Sequence, residues 1–97
     1  MFVLVTYDVE DDRLRTRIAD TLEGYGQRVQ YSVFECRLSA AQYAELIDAL
    51  ERLLDRTSEE EASMVSIRCY RLCRNCTRRI NILGAGSITQ DPGYYLV

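Results

Sequence analysis

Any chemistry in this chain rests on carboxylates, thiols and guanidinium groups, because its 97 residues include no histidine. The commonest general base and the commonest transition-metal ligand are therefore absent. Hydrolysis by such a chain requires carboxylates, bound water and a hard metal ion. One carboxylate stands out by position. Asp8 closes the apolar run of "FVLVTYDV", where a buried strand meets its first acid. Residue type alone makes Asp8 a strand-terminating aspartate that caps the following helix. Tyr7 alternates to the opposite face and is expected in the core.

Cys73 and Cys76 form "CRNC", with Cys69 four residues earlier. One such pair is half a zinc site, and neither a second pair nor a histidine completes it within the chain. Four thiolates from two chains, a redox pair and reduced structural thiols are the three readings, and the last is expected. All twelve basic residues are arginine. Residues 1–61 hold seven arginines against fourteen acids, whereas residues 62–90 hold Arg68, Arg71, Arg74, Arg78 and Arg79 and no acid. That asymmetry reads as a phosphate-facing patch or as a solvated face, and charge alone favours the solvated face.

The elements that must position these groups follow from periodicity. At 97 residues the chain makes one domain with a thin stability margin, which a partner would help. No apolar run approaches the ~18 residues of a membrane span. The start, "MFVLVTYD", lacks the basic region of a signal peptide, so a cytoplasmic protein is expected. After the first strand, Asp11 or Asp12 can cap a helix carrying Leu14, Ile18, Leu22 and Tyr25, which Gly24 and Gly26 stop. In "RVQYSVFEC", Val29, Tyr31 and Val33 make one apolar face, and then the phase flips to Phe34, Cys36 and Leu38. Ser39 and Gln42 have capping-box spacing before a stripe of Tyr43, Leu46, Ile47, Leu50, Leu53 and Leu54. "RTSEEEAS" reads as a polar loop, "MVSIRCYRL" as a fourth strand and "INILG" as a short fifth. The class is α+β. If the phase flip divides two strands, the order is a ferredoxin-like β-α-β-β-α-β with an extra C-terminal strand. Residues 1–84 then form the domain, and 85–97 are a tail interrupted by glycine and proline. Such a sheet carries both helices on one face. Val29, Tyr31 and Val33 cover the helix side or meet a second sheet from a partner chain, and an apolar face that large is best hidden by dimerisation.

"LVTYDV", "YGQRVQYSVFEC" and "RLCRNC…ILG", in this order over roughly residues 1–84, resemble the CRISPR-associated Cas2 family, the small partner of the adaptation integrase. The resemblance implies a two-fold homodimer whose last strand crosses to extend the partner's sheet. It implies a metal-dependent endonuclease on RNA or DNA, and a central bridge, bound to the Cas1 integrase, in the complex that inserts new spacers. It turns Asp8 from a cap into the proposed metal ligand and catalytic residue. Two copies of Asp8 across a two-fold axis, with several waters, suit Mg²⁺. Arg15 and Arg17 lie where the family carries basic residues; their bland reading is a surface ion-pair belt with Glu10, Asp11 and Asp12. Arg28, pinned on a strand, is the better phosphate contact, and Ser32 and Phe34 match the family's motif. Arg68, Arg71, Arg78 and Arg79, doubled by a two-fold, would hold a duplex backbone without reading sequence. The rival to the enzyme is a non-catalytic dimeric adaptor, with Tyr94, Tyr95 and Leu96 docking as an added strand on a partner. A ferredoxin-like toxin ribonuclease fits the fold but matches "QYSVFE" less well.

Overall fold

The computed structural model describes residues 1–89. Strand β1 (Phe2–Asp8) leads into helix α1 (Asp12–Glu23), then β2 (Gln27–Gln30), β3 (Val33–Arg37) and helix α2 (Ala40–Asp55). A short helix α3 (Glu59–Ala62), strand β4 (Ser66–Leu72) and a short helix α4 (Arg74–Thr77) follow. The strands form one antiparallel sheet in the order β2-β3-β1-β4. This is the α+β, ferredoxin-like arrangement that the sequence implied.

Strand alternation sorts the residues into two faces. Val3, Val5 and Tyr7 of β1 share the inner face with Phe34 and Cys36 of β3, and they pack against Leu14, Ile18 and Leu22 of α1 and Leu46 and Leu50 of α2. Each fully buried large side chain here, such as Phe34, Ile18 or Leu46, contributes about 1.5–3 kcal/mol of hydrophobic stabilisation. Both long helices start at side-chain caps. Asp11 accepts the Leu14 N–H at 2.7 Å, and Ser39 and Gln42 complete a reciprocal capping box.

The phase flip is a tight hairpin. Gln30 pairs with Val33, so Tyr31 and Ser32 form the turn, with a register shift between Arg28 and Gln30. Neither turn residue has a positive φ, so the turn is not of the primed kind that matches strand twist, and the shifted register absorbs the mismatch. Phe34, Cys36 and Leu38 are buried as expected. Val29, Tyr31 and Val33 are not a buried face: Val29 is 41% and Tyr31 70% exposed, and Val33 is half-buried on the outer side. Strand β2 is a four-residue edge with no buried side chain, whereas the helices' buried residues cluster with those of β1 and β3.

Two further expectations are corrected. "RTSEEEAS" contains α3, because Ser58 accepts the Glu61 N–H and three glutamates in the first turn suit a helix N-terminus. "INILG" forms no strand among the described residues, and Leu83 is 94% exposed. A strand needs an edge to pair with, and the sheet of the described residues ends at β4 without it.

The outer face carries Phe2, Leu4, Thr6 and Asp8 of β1 beside Arg37, Glu35 and Val33 of β3 and Leu72, Tyr70, Arg68 and Ser66 of β4. One end of it is covered by the chain's own later segment. Thr89 donates to Glu35 Oε1 through its N–H (3.2 Å) and its hydroxyl (2.7 Å), and its carbonyl accepts from Arg37 Nε at 3.1 Å. The Arg37 guanidinium lies 4.8 Å from the centre of the Phe2 ring, and Phe2 is only 2% exposed. Residues 94–96, expected to dock on a partner, lie outside the described residues.

Candidate metal and nucleic-acid site

Asp8 ends β1 directly opposite Ser66, the first residue of β4. It is not the cap of α1, a role held by Asp11. Its exposed carboxylate makes no hydrogen bond or ion pair with the described residues. It opens onto a depression of about 360 Å³ lined also by Thr6, Ser66, Arg68 and Tyr70. Arg68 Nε donates to Ser66 Oγ at 3.4 Å, so a guanidinium, a hydroxyl and a carboxylate share this end of the outer face. Ser66 and Tyr70 escaped the sequence reading. The signal for them was the antiparallel register of β4 against β1, since residues opposite Asp8 and Leu4 share their face.

Among the described residues, no three His, Cys, Asp or Glu side chains converge as a metal cage. A hydrated Mg²⁺ ion asks for less, usually one or two carboxylates with waters completing six oxygens. Asp8 fits that role as a single ligand and leaves the remaining positions to water or a second copy.

A second cluster lies on the helix side. Tyr7 is buried, and its hydroxyl donates to the Tyr31 carbonyl at 3.3 Å while accepting from Arg28 at 3.5 Å. Arg28 also lies over the Phe34 ring, and Arg15 over the Tyr31 ring at 5.7 Å. Tyr7, Arg15, Arg28 and Tyr31 line a hollow of about 260 Å³ together with Asp20 and Glu23. Ser32 sits in the turn, where its carbonyl accepts the Tyr7 N–H.

The arginines do not form one patch. Arg15 donates to the Val9 carbonyl at 3.0 Å and pairs with Asp12, which raises its already high pKa. It thus stays charged and braces the β1–α1 connection. Arg17 lines a different hollow with Arg13, Arg56 and the acids Glu10 and Asp12. Arg68 is on the outer face, whereas Arg71 stacks over Tyr43 of α2 at 5.5 Å on the helix side. Arg78 and Arg79 are exposed just after α4. Strand alternation separates what the linear sequence groups together. No helix among the described residues is long and apolar enough to cross a membrane.

A family model described as CRISPR associated protein Cas2 matches residues 1–80. A protein of Chloroflexus aurantiacus named CRISPR-associated endoribonuclease Cas2 3 is 42% identical, over all of this chain and 98% of its own length. The crystal structure of Streptococcus pyogenes Cas2 superposes with a TM-score of 0.65 at 39% identity, covering 87% of this chain and all of that one. A chain from a partial Cas6-RT-Cas1–Cas2 complex superposes with a TM-score of 0.72 at 28% identity, covering 84% of this chain and 89% of its own.

Proposed function

The chain belongs to the CRISPR-associated Cas2 family, and from that premise we propose that it acts as a homodimeric, Mg²⁺-dependent endonuclease of CRISPR adaptation, cutting phosphodiester bonds in single-stranded RNA or duplex DNA. The observation that carries this reading is the exposed Asp8 carboxylate, without a partner among the described residues, beside Ser66 and Arg68. Asp8 from each of two copies would hold the ion. When bound, the ion supplies a water of lowered pKa and offsets charge growing on the phosphate.

The chain's own groups do the rest. Arg68, steadied by Ser66, lies where it can neutralise a phosphate oxygen next to Asp8. Tyr7 and Arg28 fix the hairpin turn against the end of β1 and so hold Asp8 in place. Dimerisation is supported by the half-buried Leu4, Val33 and Leu72 on the outer face and by the exposed Ile82 and Leu83. Residues 80–84 of each copy then extend the other's sheet along the edge of β4.

The adaptor reading draws on a different observation. No second acid among the described residues lines the depression at Asp8, and a chain similar to this one sits in a complex named for Cas1 and Cas2. A bridge between the Cas1 integrase and a DNA backbone needs only exposed arginines such as Arg78 and Arg79.

Cleavage of labelled single-stranded RNA and double-stranded DNA, in Mg²⁺ or EDTA, by wild type and Asp8→Asn decides between them. The enzyme predicts metal-dependent cutting that vanishes in the variant while the dimer persists. Cutting that survives Asp8→Asn refutes the assignment of chemistry to Asp8, and no cutting by either protein leaves the adaptor.

A further inference from the structure

The four cysteines divide by environment. Cys36 is buried and Cys69 half-buried on the inner face of the sheet. Burial pushes the Cys36 thiol up to about 11 and raises Cys69 as well, so both are unreactive near neutrality. Cys73 and Cys76 are both exposed. They stand at the two ends of a single helical turn. The Cys73 carbonyl accepts the Thr77 N–H and the Thr77 hydroxyl, each at 2.9 Å, and Cys73 Sγ accepts the Cys76 N–H at 3.3 Å.

A helical turn sets residues three apart at about 5 Å between Cα atoms. That falls inside the range of about 4.4–6.8 Å that a disulfide accepts without moving the backbone. Cysteine is not among the favoured caps, and a serine or aspartate oxygen would cap this turn better. What the sulfur adds is nucleophilicity. The surroundings favour the thiolate at one of the two positions. In the sequence, Arg71, Arg74, Arg78 and Arg79 flank the pair, with no acid between Glu61 and Asp91. The Cys76 amide hydrogen bond lowers the Cys73 pKa, whereas its neighbour Cys73 raises that of Cys76.

We infer that Cys73 and Cys76 form a reversible dithiol–disulfide couple in which the Cys73 thiolate attacks a small disulfide of the oxidised-glutathione class. The attack forms a mixed disulfide at Cys73 and expels one small thiolate. The Cys76 thiolate, having lost its proton to solvent, then attacks Cys73 Sγ, closes the intrachain bond and expels the second. The two cysteines lose two electrons and two protons, and the small disulfide is reduced to two thiols. The couple changes charge as well as connectivity. A Cys73 thiolate offsets part of the positive charge of the flanking arginines, and the neutral disulfide does not.

The test equilibrates the full chain with graded ratios of reduced to oxidised glutathione, quenches with acid, alkylates under denaturing conditions and reads the intact mass. The expected result is a species that has lost two hydrogens and alkylates only at Cys36 and Cys69, reverting as the reduced thiol is raised. Cys76→Ser is expected to trap a glutathione adduct on Cys73. Cys73→Ser, in which serine keeps the cap, is expected to form its adduct on Cys76 more slowly, because the backbone amides of residues 73, 75 and 76 favour the thiolate at Cys73, whereas that of residue 73 alone favours it at Cys76. Four alkylated cysteines at the most oxidising ratio would overturn the inference. So would disulfides linking two chains, one zinc ion retained per two chains by these thiols, or equal adduct rates in the two variants.

Discussion

Gly26, just before β2, lies close against β3, and its substitution tests the packing of the hairpin at the edge of the sheet. A Cβ at this position would sit 2.4 Å from Cys36 Sγ, 2.4 Å from the Glu35 carbonyl oxygen and 2.9 Å from the Cys36 Cα. Two of those atoms are backbone of β3 and cannot turn aside as a side-chain end would. Gly26→Ala must therefore push β2 away from β3. Overpacking of this kind costs about 1–3 kcal/mol, and the backbone contacts place this case at the upper end. For a domain of this size, about 3 kcal/mol lowers Tm by about 15 °C. Gly24→Ala is the internal control. Its φ of −73° is helical, and its Cβ would meet only the Thr21 carbonyl, at 3.4 Å. That substitution removes unfolded-state freedom and is expected to be neutral or to stabilise by up to about 1 kcal/mol. Thermal unfolding of the two variants and wild type at one fixed protein concentration, followed by circular dichroism, gives the comparison. A Gly26→Ala Tm within 2–3 °C of wild type, or below-wild-type values shared equally by both variants, would refute the close-approach argument (the threshold being roughly 0.5 kcal/mol).

Two other perturbations have defined outcomes. Asp11→Ala removes the acceptor of the Leu14 N–H and should cost about 1 kcal/mol in urea unfolding, whereas Asp8→Asn, which breaks no such bond, should leave the midpoint in place. The Cys36 thiol is raised to about 11 from an ordinary 9.0, so between these pH values the folded chain holds a proton that the unfolded chain has lost. Stability from this group is complete below pH 9 and falls as pH rises towards 11, by about 1–2 kcal/mol after allowance for partial solvent screening. Cys36→Ala should flatten that part of the stability–pH curve, and an unchanged slope would contradict the assignment.

Elements with a strong period were legible before any coordinates. The stripe of Leu14, Ile18 and Leu22, the Ser39–Gln42 box and the run from Phe2 to Tyr7 each carry their structure locally, and each is found where expected. The phase flip at "QYSVFE" correctly divided two strands. What it did not reveal was which apolar set would be buried, because Val29 and Tyr31 alternate as well as Phe34 and Cys36 do. Only the sheet order, which puts β2 at the edge, separates them. The short helices α3 and α4 were hidden because one turn is too short for a period to register. Asp8 was visible as a residue, but its local pattern alone read as the cap of the next helix, a role that Asp11 holds instead. The arginines misled in the opposite way. Arg68 and Arg71 look like one patch in the chain, and an odd spacing on a strand places them on opposite faces.

Tyr7 has a mechanical consequence for the residue beside it. Its N–H donates to the Ser32 carbonyl and its hydroxyl to the Tyr31 carbonyl, so one residue holds both carbonyls of the hairpin turn. Its ring meanwhile packs with Phe34 in the core, the centroids 6.3 Å apart. Releasing the turn thus means breaking two hydrogen bonds and lifting an aromatic ring out of its packing. The hairpin tip and the end of β1 consequently open together, as a single cooperative unit in hydrogen exchange rather than as a loop that frays on its own. A load applied to Tyr31 or Ser32 is carried through Tyr7 into β1 and reaches Asp8 one peptide bond later, so the hairpin works as a lever whose fulcrum is a buried tyrosine.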